Sequence, residues 1–313
     1  MAAMSAKKWL QRGVPVVVSI GSISWLLGSI DSATLIGALN WRVTAVLVPS
    51  LLVYGALSLW IEAASILTLV DRPPPGFGLW VSARIKSASY LLGIVNYALG
   101  GIALTVLLRK RAGTGVGRSA SIVLLITAVD AIVLLILATL SGVDAGDDAP
   151  ALRAGIVAVA GLGFFGGMAL IRAPGSLGPL ERIRNFAVFD AVRTTSLRRI
   201  GRLAALRIAF SVLFIALARV VFFGFDIEIG AAQLIFGMMI VAVVSALPIA
   251  VAGLGTGQAA TLYFFRGTAS PGELLALSLV WSAGMILLRA SMGLFFAREY
   301  TREVLDESRG APA

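Results

Sequence analysis

Histidine and cysteine are both absent from this chain, and charged side chains are scarce, at 13% of 313 residues. Without cysteine there is no disulfide and no thiolate nucleophile. Without histidine the usual general base and the commonest zinc and haem ligand are gone. Asp, Glu, Lys and Ser remain, but the usual membrane phosphatase and protease sets are badly depleted, so no catalytic site, metal or cofactor is expected. The lack of charge is equally telling. A soluble domain carries about 25% charged residues, and a chain with so few cannot cover a water-facing surface.

What is present is apolar. Hydrophobic residues make up 58% of the chain, mean hydropathy is +0.95, and several runs reach the roughly 20 residues that cross a bilayer core as a helix. Lys and Arg number 26 against 16 Asp and Glu, a net charge of +10. The basic residues collect in short loops, where they set orientation and meet anionic headgroups. No nucleic-acid-binding pattern accompanies them, so nucleic acid is not an expected partner.

Residues 1–13 read as a cytoplasmic N-terminus, 14–297 as the membrane domain and 298–313 as a cytoplasmic tail. Lys7, Lys8 and Arg12 before an apolar run resemble a signal peptide, but no clear cleavage site follows, which favours a retained first helix. Full spans are expected over 14–30, 43–70, 119–140, 154–171, 203–223 and 273–296. Asp71-Arg72-Pro73-Pro74-Pro75-Gly76 stops the second, since consecutive prolines cannot continue a helix. The basic connection 172–202 contains Leu180, Ile183, Phe186, Ala187 and Phe189 at the alternation of an interfacial helix.

Two apolar segments do not fit as ordinary spans. Residues 80–108 hold Arg84, Lys86 and Asn96 and are interrupted by Gly93, Gly100 and Gly101. Residues 231–265 are interrupted by Pro248, Gly253, Gly255 and Gly257. The basic loops 109–118 and 172–202 belong inside and the acidic turns near 144 and 226 outside. Each interrupted segment must then leave and return on one face. Two full spans need about 40 residues plus a turn, more than either holds. A re-entrant hairpin fits both, with Gly100 and Gly101 near the first turn. The expectation is an all-α polytopic transmembrane bundle of six full spans and two re-entrant, or broken, hairpins opening from opposite faces. That is the pattern of an inverted repeat built around a midplane site.

At these interrupted segments the chain resembles the lysylphosphatidylglycerol synthase transmembrane, or flippase-like, family. Ser89 through Gly101, followed by a basic loop and Asp130, is similar to that family's first half. Ala246-Leu247-Pro248 through Gly253-Leu254-Gly255 is similar to its second hallmark. The resemblance runs from about residue 43 to 296 and implies a protein that handles lipids. Gly257 and Gln258 stand where members often carry Arg and an acid, Thr127 where they often carry Arg, and Gly100 and Gly101 where they often carry Pro and Arg.

Candidate substrate-binding residues are Arg84 and Lys86 at the mouth of the first hairpin, Asn96 within it, Asp130 in mid-span, and Thr256 and Gln258 at the second break. Gly100, Gly101, Pro248, Gly253 and Gly255 are the candidate helix breakers. Each has a plainer alternative. Arg84 and Lys86 are two residues apart, which splays them around a helix, and either can snorkel to the interface. Asp130 can pair with a cation from another helix. Glu62 is as plausible a partner for Arg84 or Lys86 as a transport residue, and Arg207, Arg219 and Arg289 read as snorkelling side chains near span ends.

The expected protein is thus a multi-pass plasma (inner) membrane protein moving a lipid or lipid-linked headgroup of phospholipid, isoprenoid or hopanoid type. Its expected ligand is a membrane lipid with an anionic headgroup. A lipid-modifying transferase and a scaffold subunit are the alternatives. The expected protein partners are a second copy of the chain or a lipid-biosynthesis enzyme. The topology is testable because introduced cysteines meet no background. In intact cells an impermeant thiol reagent should label a cysteine at Asp226 and spare one at Thr114; labelling at Thr114 would overturn the orientation.

Overall fold

A computed structural model describes residues 41–95, 97–141, 162, 166–172, 186–246 and 254–308. The expected spans over 14–30 and most of 154–171 lie outside these residues, as do Asn96, Pro248, Gly253 and the acidic turn near 144. The described elements are helices: α1 (Trp41–Leu69), α2 (Leu79–Val95), α3 (Tyr97–Ala112), α4 (Val116–Ser141), α5 (Gly167–Arg172), α6 (Asp190–Thr194), α7 (Leu197–Gly224), α8 (Ala231–Ala246), α9 (Thr256–Phe264) and α10 (Pro271–Ser308). Of the expected interfacial helix, the described part is a 3-10 turn over Ala187–Phe189 leading into α6.

Four helices are long and apolar enough to cross a membrane: α1, α4, α7 and the part of α10 over Pro271–Phe296. Only 28–33% of their apolar windows is buried inside the molecule, so the remaining apolar surface needs an apolar solvent. Leu52, Trp60, Val212, Leu287 and Leu294 are among the side chains left outward-facing. Several hydroxyls on these helices are satisfied locally. Ser50, Ser65, Thr127 and Thr139 each donate to the carbonyl four residues earlier, as a medium without water requires.

Loop contacts fix the two ends of the bundle. At the basic end, Asp71, just beyond α1, accepts hydrogen bonds from Arg118 of α4 and Arg199 of α7. Arg118 also donates to Asp190 of α6 at 3.0 Å. At the opposite end Arg42, which opens α1, pairs with Asp226 beyond α7 at 3.2 Å and lies over the Phe223 ring. Helices α1 and α7 are therefore antiparallel neighbours. The chain leaves the basic end after α1 and is back there at the start of α4, having traversed α2 and α3.

Those two helices fold back on one another. Gly100 and Gly101, expected as helix breakers near the first hairpin's turn, lie inside α3 (Tyr97–Ala112) and do not break it. Their role is close approach. A Cβ on Gly100 would meet Gly93 Cα of α2 at 2.8 Å, whereas one on Gly101 would meet Val123 Cγ1 at 3.6 Å. The 17 residues of α2 span about 26 Å, less than the hydrocarbon thickness of about 30 Å.

A second hairpin, α8 and α9, starts from the opposite end. It returns there at Phe265, whose ring packs edge-on against Phe222 of α7 at 4.9 Å. Gly237 of α8 leaves room for that ring, since a Cβ there would lie 2.4 Å from it. Gly255 holds a φ of +89° as the N-cap of α9, a conformation glycine adopts without steric cost. Gly257, expected within the break, instead lies in α9, where a Cβ would press on Ser245 Oγ at 2.9 Å. Ser270, Pro271 and Glu273 then start α10, with Glu273 accepting from the Ser270 amide and hydroxyl at 2.9 and 2.7 Å, a reciprocal capping box.

The long helices interlock the hairpins. α2 packs on α10 and α1, α8 packs on α4 and α7, and α3 and α9 lie on α4 and α10 respectively. One apolar cluster gathers around Ile66, Ile85, Leu108 and Leu125, and a second around Phe222, Met239, Phe265 and Leu274. The glycine contacts separate two outcomes. Gly100→Leu should destabilise the detergent-purified protein by about 1–3 kcal/mol through overpacking, while Gly101→Ala should be neutral or mildly stabilising. Thermal unfolding checks this, and equal tolerance of both changes would rule out the tight crossing.

Candidate functional site

Between the two apolar clusters lies a polar layer to which five helices each contribute one charged side chain: Glu62 of α1, Lys86 of α2, Asp130 of α4, Arg207 of α7 and Arg289 of α10. Counting along each helix from the basic end puts Glu62, Lys86 and Arg289 about 10 Å in, Arg207 about 15 Å and Asp130 about 20 Å. Trp80 and Phe296, stacked edge-on at 5.5 Å, mark the starting level for α2 and α10.

Arg207 organises the layer. Only 1% of its surface is exposed. Its guanidinium contacts Glu62 Oε1 at 3.2 Å, donates to Ser65 Oγ at 2.7 Å and lies 3.9 Å from Asp130 Oδ1. Lys86 Nζ approaches the other Glu62 oxygen at 3.1 Å. Two cations and two carboxylates thus form a neutral quartet, the arrangement that makes buried charge tolerable. The snorkelling expectation for Arg207 is corrected. Its helix begins at Leu197, six residues before the expected span edge, so the side chain is too deep to reach the interface. Glu62 takes Lys86 as partner, one of its two expected alternatives.

A cavity of about 270 Å³ adjoins the quartet. Its walls include Gly93, Ile94, Tyr97, Gly100 and Gly101 at the first hairpin's tip, and Val241, Ser245, Ala246, Gly257 and Thr261 near the second hairpin's break. Of the candidate binding residues, Lys86 and Asp130 line it; Arg84, Thr256 and Gln258 do not. Gln258 is fully buried and works as a brace. Its Oε1 accepts from the Gly255 amide at 2.6 Å and its Nε2 donates to Ser282 Oγ at 3.0 Å, fixing the start of α9 against α10. Asp130 Oδ1 and Ser211 Oγ have no hydrogen-bond partner among the described residues.

Two lining arginines escaped the sequence reading as site residues, Arg207 and Arg289. Their depth was the available signal, hidden because the spans were drawn too short or the arginines too near their ends. Among the described residues no three acidic side chains gather as a metal site. Family models, curated proteins and solved structures yield no match to this chain.

Removal of Arg207 leaves Asp130 without its cation and Glu62 with Lys86 alone. Arg207→Met should destabilise the purified protein by about 3–5 kcal/mol, against about 0–1 kcal/mol for Arg199→Met at the exposed end. Chemical denaturation in micelles makes the comparison, and similar losses for both variants would remove the quartet from its structural role.

Proposed function

We propose that this membrane protein carries a lipid, or the headgroup of a lipid-linked molecule, between leaflets. The observation that supports this most is the single cavity walled by the tips of two hairpins that start from opposite ends of the bundle. A headgroup held there needs only one tip to yield for access from one side and the other tip for access from the other. The cavity volume, about 270 Å³, lies just below the roughly 300–1,000 Å³ of small-molecule sites. It suits a headgroup and leaves the hydrocarbon chains to the bilayer.

Helix pairing supports an inverted repeat as the basis of this alternation. Exchanging α1, α2, α3 and α4 for α7, α8, α9 and α10 carries each packed pair onto another: α2 on α10 becomes α8 on α4, α1 on α2 becomes α7 on α8, and α1 on α7 maps onto itself. The two halves run in opposite senses through the bundle, as in carriers with a midplane site. On this reading α2–α3 and α8–α9 are re-entrant, the basic end faces the cytoplasm, and the membrane is the plasma (inner) membrane. Lipid handling is also the function implied by the resemblance of Ser89 through Gly101 and Ala246 through Gly255 to flippase-like membrane proteins.

The test is reconstitution into liposomes with fluorescent phospholipids and a one-sided quencher. Wild type should speed leaflet exchange over protein-free liposomes, and Ser245→Trp, which fills the cavity, should remove most of the gain. If wild type moves no lipid from a panel of anionic, zwitterionic and isoprenoid-phosphate headgroups, the carrier reading is overturned.

A further inference from the structure

The charge lining the cavity does not sum to zero. Glu62 and Asp130 supply two negative charges, while Lys86, Arg207 and Arg289 supply three positive ones. The quartet accounts for four of the five. Arg289 is left over: no carboxylate among the described residues lies within ion-pair distance of it, and its recorded contact is with the Tyr90 ring, 5.9 Å from the guanidinium carbon. Lys86 Nζ lies 5.6 Å from the same ring, so the excess positive charge sits at the Tyr90 side of the cavity. Tyr54 and Tyr90 both line the same cavity.

We infer that Arg289, with Tyr90 beside it and Tyr54 lining the same cavity, is the recognition site for an anionic group of phosphate type, and that the neutral quartet shapes the cavity without binding the anion. An uncompensated guanidinium about 10 Å inside a bundle end is costly, and one bound anionic group would neutralise it. A guanidinium presents parallel donors that match two phosphate oxygens, and tyrosine hydroxyls supply further donors. Arg84, the other cation expected at the headgroup, does not line the cavity. The inference rests on the carrier reading only for the source of the phosphate. A lipid headgroup and free inorganic phosphate share this chemistry, so the test separates them.

Purified full-length protein in micelles is titrated with three probes: a short-chain phosphatidic acid, the matching short-chain phosphatidylcholine, and inorganic phosphate. Binding is read by thermal shift and calorimetry on wild type, Arg289→Gln, Arg289→Lys and Arg84→Gln. The expected result is that wild type binds the phosphatidic acid in preference to the phosphatidylcholine. Arg289→Gln should weaken phosphatidic acid binding about tenfold or more, with Arg289→Lys intermediate and Arg84→Gln unchanged. The lysine variant keeps the charge and reports on the site if the glutamine variant folds poorly.

Equal, Arg289-dependent binding of inorganic phosphate and phosphatidic acid would uphold the anion site and overturn its assignment to a lipid. Equal binding of both lipids by wild type and Arg289→Gln would overturn the anion site and leave the carrier reading standing. Failure of wild type to bind any phosphate probe would also overturn the anion site.

Discussion

The Arg207–Glu62 contact is the interaction on which the rest of this architecture depends. A guanidinium and a carboxylate held 3.2 Å apart inside an apolar bundle are stable together and costly apart. Their pairing sets the register of α1 against α7. Lys86 ties the first hairpin to Glu62, and Asp130 lies close enough to Arg207 to bring α4 into the same layer. The apolar clusters on either side can each pack densely because polar groups are confined between them. In a bilayer, where lipid tails compete equally for apolar surface, such a polar tie specifies partners that hydrophobic burial alone does not.

The hairpins then follow from the space this layer leaves. Each is too short to be two full spans and is pinned at its open end, by Trp80 against Phe296 for the first and by Phe265 against Phe222 for the second. Glycines carry the tight crossings: Gly93 against Gly100, and Gly237 under the Phe265 ring. The tips are lined by small and polar residues, Gly101, Ser245 and Gly257 among them.

Much of this was legible in the sequence because bilayer physics constrains it strongly. Apolar run length placed three of the four described spans to within three residues and started the other six residues late, at 203 instead of Leu197, and loop charge anticipated the shared end that Asp71, Arg118 and Arg199 now define. The interrupted segments over 80–108 and 231–265 were identifiable because neither was long enough for two spans. Other features were hidden. Gly100 read as a helix breaker because composition cannot distinguish a glycine that bends the chain from one that admits a neighbouring helix. Gln258 read as a binding residue because its partners, Gly255 and Ser282, are settled only by tertiary packing. Arg207 and Arg289 looked like edge residues, since the depth of a cation depends on where its helix begins and what it meets.

The account stands on the cavity being a polar space shared by both hairpins, so the most direct measurement is thiol accessibility at membrane depth. Single cysteines at Thr127 and Ser245, both lining residues, are compared with one at the outward-facing Leu52, 64% exposed on the molecule's surface. In reconstituted membranes the first two should react with a small charged thiol reagent, because a thiolate forms where water reaches. Leu52→Cys, facing hydrocarbon, should stay inert. Inertness at all three positions would contradict a polar cavity between the hairpin tips and leave a plainly packed bundle in its place.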